Sequence, residues 1–458
     1  MSRNTTRLIG TAGVTPGSYI LSSCALTASD GAEFDIKALI TQIVITESIY
    51  SASIDAEIII MDGVNLFESA KLNGDEKIEL LIKRQELDTK DTEKHQHTFY
   101  ISEIIAFARK KNGASTYVFR CVSKHAYVNN TKTLDQFKEG TIGSIIKGIC
   151  TSDLRIPLKE LDVNTSTYKN IKCIIPKLRP LAAIKWLNSN AFTTTGAPFY
   201  FYETLKGKVK YKSYEDFADS DVVATYIHSP VLKSTIGSKE YFAETSRRIN
   251  KLSSDLNLSK YIASGEGAYA STTRSIDIAT KTYNVQGEQY NYKGVKKLNS
   301  FDPFPKRNNN DQYGGQPIDK IAAGKNYFIS NNSLAYGSGQ FNFQNPSIES
   351  MGKCQAYLST EDTIVHDIVI AGNFNLESGQ LIKIQVNKTS AFDNESSPID
   401  KMQSGKYLVA SIIHKFADEY TLQVEIKSNS FNSDLNDVLT LEGTKGSTEV
   451  IELSLIHI

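Results

Sequence analysis

At 458 residues the chain has room for about three domains of roughly 150 residues, each able to bury its own core without disulfides. Lysine plus arginine equals aspartate plus glutamate, 51 against 51, so no net field draws the molecule toward nucleic acid or an anionic membrane. The cysteines, Cys24, Cys121, Cys150, Cys173 and Cys354, are odd in number and scattered, with no CxxC pair, which argues against zinc or redox work and predicts reduced core thiols.

Met1 is followed by SRNTTRLIGTAG, which has no apolar run of signal-peptide length, and no stretch approaches the roughly 18 apolar residues of a membrane span. The expectation is a soluble protein made in the cytoplasm, whose N-x-S/T triplets, such as those at Asn4 and Asn129, follow from its richness in Asn and Ser. Residues 33–83 then read as strand, strand, short helix, strand. Phe34, Ile36, Leu39 and Ile40 lead into Ile43, Ile45 and Ile49. After a turn, Ile54, Ala56, Ile58 and Ile60 alternate with Asp55, Glu57 and Ile59, a period of two that implies one buried face. Residues 64–70 (VNLFESA) suit a short helix, and the Asn73-Gly74 turn restarts the sheet at Lys77. Residues 77–83 (KIELLIK), 99–108 (FYISEIIAFA) and 116–123 (TYVFRCVS) complete a strand-turn-strand unit.

The middle of the chain is α+β in character. Residues 140–150 (GTIGSIIKGIC) place Ile142, Ile145, Ile146 and Ile149 at helical spacing. Residues 179–191 (RPLAAIKWLNSNA) start with Pro in the first turn and carry Leu181, Ile184 and Leu187 on one face. Trp186, the only tryptophan, reads as core packing on that helix, with an interface anchor as the other reading. Residues 198–203 (PFYFYE) and 208–214 (KVKYKSY) form an aromatic hairpin turning at Gly207. From 294 to 345 the chain is rich in Asn, Gly, Ser and aromatics, is too long for an idle loop, and is expected to be irregular until it meets a partner.

Beyond it the first unit recurs. A helix from Asn345-Pro346 through Tyr357 and a strand over 364–370 lead to GNFNL at 372–376. Residues 381–386 (LIKIQV), 407–416 (YLVASIIHKF) and 420–428 (YTLQVEIKS) then repeat the earlier order, with Ile104-Ile105 answered by Ile412-Ile413. Two distant copies of one strand module are an adaptor's property. The closing residues 453–458 (LSLIHI) match the translation of a transposon end used in sequencing libraries and are set aside as an adapter scar.

The sequence singles out no catalytic, cofactor-binding or metal-binding residue. His95 and His97 form an H-x-H with only Glu93 nearby, in a charged stretch that reads as a loop. His366 and His414 sit on expected strands as ordinary half-buried histidines, and His125, four residues beyond Cys121, lacks the context of a Cys-His dyad. Gly324-Lys325 resembles the end of a P-loop, but Asp319 stands where Gly is needed and Asn326 where Ser or Thr is needed. Gly265 and Gly267 are a lone GxG in a turn, and the basic runs 109–111 (RKK) and 293–297 (KGVKK) read as solvated turns.

The stretch SIYSASIDAEIIIMDGVNLFESAKLNG up to Gly74, RPLAAIKWL with GAPFYFYETLKG, and GNFNL with the strands after it resemble the central baseplate hub protein of T-even-type contractile-tailed phages, a family related to the hub portion of type VI secretion spike proteins. The resemblance covers about residues 20–430, with departures at 294–345 and 387–405. It implies a mainly β fold in which two tail-tube-like β-barrel domains flank an inserted α+β domain. The expected boundaries are 1–125 for the first tube-like domain, 126–217 for the inserted domain, 218–293 for the first part of the second tube-like domain, 294–345 for the Asn/Gly-rich insertion, 346–435 for the remainder of the second, and 436–458 for a polar tail.

The resemblance further implies a noncatalytic virion protein of the tail baseplate, assembled in the host cytoplasm. Three chains form a ring whose six tube domains match the hexameric tail tube on one side and the trimeric central spike on the other. The implied partners are further copies of the chain, the spike, tail-tube or tube-initiator proteins and baseplate wedge proteins. No membrane and no sequence-specific nucleic acid is implied, since DNA passes through the lumen. Two other classes compete: a tail-tip peptidoglycan hydrolase, and a glycan-binding tail protein stacking sugars on Tyr313, Tyr327, Tyr336 and Phe341.

Overall fold

A computed structural model describes residues 15–84, 94–109, 113–229, 239–257, 265, 270–278, 280–290, 294–300, 325–331, 346–387, 399–400 and 402–432. The first strand set comprises β1 (Tyr19–Thr27), β2 (Glu33–Asp35), β3 (Ile40–Ser48), β4 (Asp55–Asp62), the short helix α1 (Leu66–Ser69), β5 (Lys77–Arg84), β6 (Lys94–Arg109) and β7 (Ser115–Ser123). The alternation in β4 turns Ala56, Ile58 and Ile60 inward, each 0% exposed, while Asp55 and Glu57 face out.

The middle block holds α2 (Lys124–Asn129), β8 (Phe137–Thr141), α3 (Ile142–Ser152), β9 (Leu161–Val163), β10 (Asn170–Ile174), α4 (Pro180–Asn188), β11 (Phe199–Glu203), β12 (Val209–Ser213) and α5 (Tyr214–Ala218). Thr141 caps α3 by accepting from the Ser144 N–H, and Pro180 opens α4, whose Ala183, Ile184 and Leu187 pack against α3 through Ile145, Ile146 and Ile149. Next come β13 (Val222–His228), α6 (Lys239–Ser246) and β14 (Ile249–Leu256). A separate sheet of β15 (Ala270–Asp277), β16 (Thr282–Tyr290) and β17 (Lys325–Asn331) precedes α7 (Pro346–Glu361). The chain ends its described course with β18 (Ile364–Ala371), β19 (Leu381–Val386), β20 (Gly405–Phe416) and β21 (Tyr420–Ser428). β17 lies inside the stretch expected to be irregular, which corrects that reading; the rest of that stretch beyond 294–300 lies outside the described residues.

Thirteen strands form one sheet, and within it a strand order occurs twice. The first set runs β3-β4-β7-β6-β5-β1 and the second β14-β18-β21-β20-β19-β13. The match extends to irregularities. β6 bulges between Ile101 and Glu103 against β7, and β20 bulges between Val409 and Ser411 against β21, the same place in the FYISEIIAFA and YLVASIIHKF alignment. β3 bulges between Ile40 and Gln42, and β14 between Ile249 and Lys251. One pairing differs: β1 runs antiparallel to β5, whereas β13 runs parallel to β19.

The sets meet at a seam. β20 pairs antiparallel with β3, with Ser411 opposite Ser48, His414 opposite Ile45 and Phe416 opposite Ile43. Inward side chains of both sets consequently form one continuous apolar core, from Cys24 and Leu26 through Ile45 and Phe416 to Ile426. Close backbone approach helps close it: a Cβ on Gly372 would lie 2.0 Å from the ring of the fully buried Tyr420, so only glycine fits.

Candidate functional site: a clamped hairpin at the seam

The hairpin of β11 and β12 stands where the middle block meets both strand sets. Every residue of β11 is buried, because its two faces serve two cores. Phe199 and Phe201 join Val209, Tyr211 and the α3–α4 side chains, with Phe199 and Tyr211 stacked at 5.0 Å. Tyr200 and Tyr202 turn the other way, onto Ala356 and Tyr357 of α7, Leu381 of β19 and Leu408 and Ala410 of β20. A continuous FYFYE run is what such a doubly covered strand requires.

Four buried carboxyl groups fasten this hairpin. Glu47 of β3, 0% exposed, accepts the Leu205 N–H at 2.5 Å on one oxygen and the Ser378 N–H at 2.8 Å on the other, tying the hairpin turn to both strand sets. Glu203 accepts the Ile54 N–H at 3.0 Å and lies 3.2 Å from His125 Nε2; burial pushes its carboxyl up, against the pull of His125 and Ser123. Glu361 at the end of α7 accepts the Tyr200 hydroxyl at 2.8 Å and the Tyr50 hydroxyl as well, and burial also pushes it up. Glu377 behaves oppositely. Burial would raise it, but Lys210 at 2.9 Å and Lys206 at 2.8 Å outweigh that and hold its carboxyl below the usual range. Chemically this set supplies acceptors to backbone N–H, phenol and ammonium groups, and each is already committed to one.

None of these four was singled out from sequence. The signal for Glu47 was present: it occupies the inward phase of Ile43, Ile45 and Glu47, where an acid is abnormal unless satisfied. Glu203 likewise ends an uninterrupted aromatic run.

Histidines lie on strands of both sets, and His414 is the one in the seam itself. His95 and His97 lie on β6, opposite Ile82 and Leu80 of β5, and not in a solvated loop; the strand continues two turns of the pleat beyond the apolar residues that mark it, under the charged flank that disguises it. Their rings are nearly parallel on one face, and His95 stacks on Phe374 at 3.9 Å. Burial, with His95 and His414 beside it, holds His97 down at about 3. His414 of β20 lies 2.9 Å from the Tyr420 hydroxyl through Nδ1 and 3.8 Å from Glu47 Oε1 through Nε2. His366, wholly buried, lies 3.0 Å from the Tyr407 hydroxyl, and burial holds it down at about 4. Glu93 lies outside the described residues, and among the described residues no group of three or more His, Cys, Asp or Glu is placed to hold a metal ion.

Other residues marked by the sequence fall elsewhere. His125 faces Glu203 and the Ala52 carbonyl, while the Cys121 thiol meets the Phe119 carbonyl, so the two form no dyad. Lys325 and Asn326 begin a strand, the wrong element for a P-loop, and Gly324, Asp319 and Gly267 lie outside the described residues. The run ending at Lys297 is no solvated turn: Val295 and Leu298 are buried, the Lys296 N–H donates to the Tyr357 hydroxyl, and the Leu298 N–H donates to Asn429. Trp186 is 38% exposed on the outer side of α4, so it is not the core residue expected. Of the four aromatics weighed for sugar stacking only Tyr327 is described, half-buried with Lys325 Nζ 5.6 Å from its ring centre.

No protein-family model and no curated protein matches the chain. Solved structures do. A tail protein from Neisseria meningitidis MC58 aligns with 11% identity and a TM-score of 0.50 over 90% of this chain and 97% of that one. The 43 kDa tail protein of prophage MuSo2 from Shewanella oneidensis aligns with 11% identity and a TM-score of 0.50 over 91% of this chain and all of that one, 100%. A type VI secretion component from E. coli aligns more loosely, with 8% identity and a TM-score of 0.38. At such identities the likeness speaks to fold, and the chain has the fold of these tail proteins across nearly its whole length.

Proposed function

We propose that the chain is a structural tail protein acting as a baseplate hub: a ring-forming, trimeric adaptor that matches a hexameric tube to a trimeric central spike and lines part of the DNA conduit. The observation that carries this reading is the doubled strand order with its bulges in matching places. A chain holding two equivalent modules presents twice its own oligomeric symmetry to a partner. Each strand set is taken as one tube-like barrel domain and the middle block as the domain inserted between them. The tail-protein fold supports a structural role in a virion tail, and the buried carboxyls support it too, since they are spent on holding backbone and phenol groups. The other proposed partners are tail-tube or tube-initiator proteins and baseplate wedge proteins.

Light scattering on the purified chain, with and without a trimeric central spike protein of a phage tail, tests the reading. The expected result is a trimer, alone or on adding spike. A monomer under both conditions overturns it and moves peptidoglycan hydrolysis and glycan binding to the front.

A further inference from the structure

At the start of β20, Lys406 stands directly opposite Lys383 of β19. Like charges at opposed strand positions repel, so the pairing works against the ladder that holds it. A third lysine, Lys297, comes to the same place on the segment 294–300, and the three line one pocket of about 240 Å³. No aspartate or glutamate is among the described residues that line it. In a chain whose formal charges sum to zero, three positive groups are gathered on one small cavity.

The wall of the pocket is fixed in advance. The Asn299 amide donates to the Lys406 and Ser430 carbonyls, both at 3.0 Å, and its oxygen accepts the Lys406 N–H at 2.8 Å. A Cβ on Gly405, whose φ is +149°, would lie 2.8 Å from Asn299 Oδ1, so glycine is what lets the segment 294–300 close against β20. Lys296 is engaged elsewhere, in an ion pair with Asp219, and does not line the pocket. Asn432 does line it. This residue is 7% exposed, and its side-chain amide has no partner among the described residues. Buried amides are normally hydrogen-bonded, so Asn432 marks a polar group held ready for a ligand oxygen.

We propose that this pocket binds a compact, multiply charged phosphate anion of the size of pyrophosphate. Drug-sized ligands occupy pockets of about 300 Å³ or more, so this one suits something smaller. Its cations are lysines and not arginines: point charges on flexible stems, without the planar fork that matches the flat edge of a carboxylate. Three ammonium groups and the Asn432 amide can each donate to a different phosphate oxygen. Binding also removes the repulsion between Lys383 and Lys406 and so ties β19 to β20, whatever the oligomeric state of the chain.

Isothermal titration calorimetry of the full chain with inorganic pyrophosphate tests this, with citrate as a carboxylate of comparable charge and a DNA duplex as a phosphodiester. The expected result is one pyrophosphate per chain, with citrate and the duplex each weaker by about tenfold or more, the worth of one charge-assisted hydrogen bond. Lys406→Gln, at an exposed position, should weaken pyrophosphate by about tenfold. Lys296→Gln, whose ammonium Asp219 already holds, should leave it unchanged. Far-UV circular dichroism checks that both variants fold. Absence of binding to the wild type overturns the proposal, as does equal affinity in Lys406→Gln or an equal loss in Lys296→Gln. Citrate or the duplex binding as tightly as pyrophosphate overturns the assignment to a compact phosphate.

Discussion

Acidification tests whether the buried histidines are held neutral. His97 falls to about 3 and His366 to about 4 in the folded chain, against about 6.5 in an unfolded one. The folded state thus binds fewer protons than the unfolded state below pH 6.5, and stability must fall with pH, for His97 until about pH 3 and for His366 until about pH 4. Between pH 7 and pH 5 each histidine costs about 2 kcal/mol, or about 4 kcal/mol together. Glu203 and Glu361, raised by burial, act in the opposite sense as pH falls, so the wild-type slope alone is ambiguous. The double variant His97→Gln with His366→Gln removes the histidine protons and leaves the glutamates. Urea unfolding followed by circular dichroism at both pH values should show the wild type losing about 4 kcal/mol more than the double variant. Equal losses in the two proteins would refute the reasoning.

Two further perturbations probe the clamp and the core. Glu47→Leu leaves the buried N–H groups of Leu205 and Ser378 without acceptors and should cost about 3–5 kcal/mol; Glu47→Gln, which keeps one acceptor oxygen, should cost about half as much, and hydrogen exchange at those two amides should quicken in both variants. For the cysteines, Ellman's reagent at pH 8 should label Cys173 first, because it is half-buried, while burial pushes the Cys24, Cys150 and Cys354 thiols up to about 12; rapid labelling of two or more thiols in the native protein would contradict this.

Much of the strand framework was legible because period-two alternation is local. The repeat of residues 77–123 at 381–428 extends to a shared bulge, and the helices over Ile142–Ser152 and Pro180–Asn188 follow from apolar spacing and a Pro start. What escaped was set by distant partners. His95 and His97 read as a loop because charge surrounds them, and only Phe374 and β5 reveal the strand. The segment at Lys296 is anchored by Tyr357 and Asn429, far along the chain. Trp186 is a different case: it is exposed and stands outside the apolar cluster that α4 shares with α3, and the local spacing of Leu181, Ile184 and Leu187 already left it off that face. The carboxyl clamps carry no motif: Glu47 and Glu203 stand out in the sequence only as acids at apolar positions, and the backbone, phenol or ammonium groups that each clamp meets are set by folding.

The β3–β20 seam also sets a timetable for the nascent chain. Residues 43–48 leave the ribosome early, yet the strand that covers their edge is the second to last described, at residues 411–416. At roughly 5–20 residues per second the interval is on the order of tens of seconds. Throughout it, ITQIVITES displays bare backbone donors and acceptors beside Ile43, Val44 and Ile45, the kind of stretch that recruits foreign strands. Any truncation before residue 405 leaves that edge open for good, so shortened products of this chain should collect in aggregates while the full-length product, once β20 has arrived, no longer offers the same foothold.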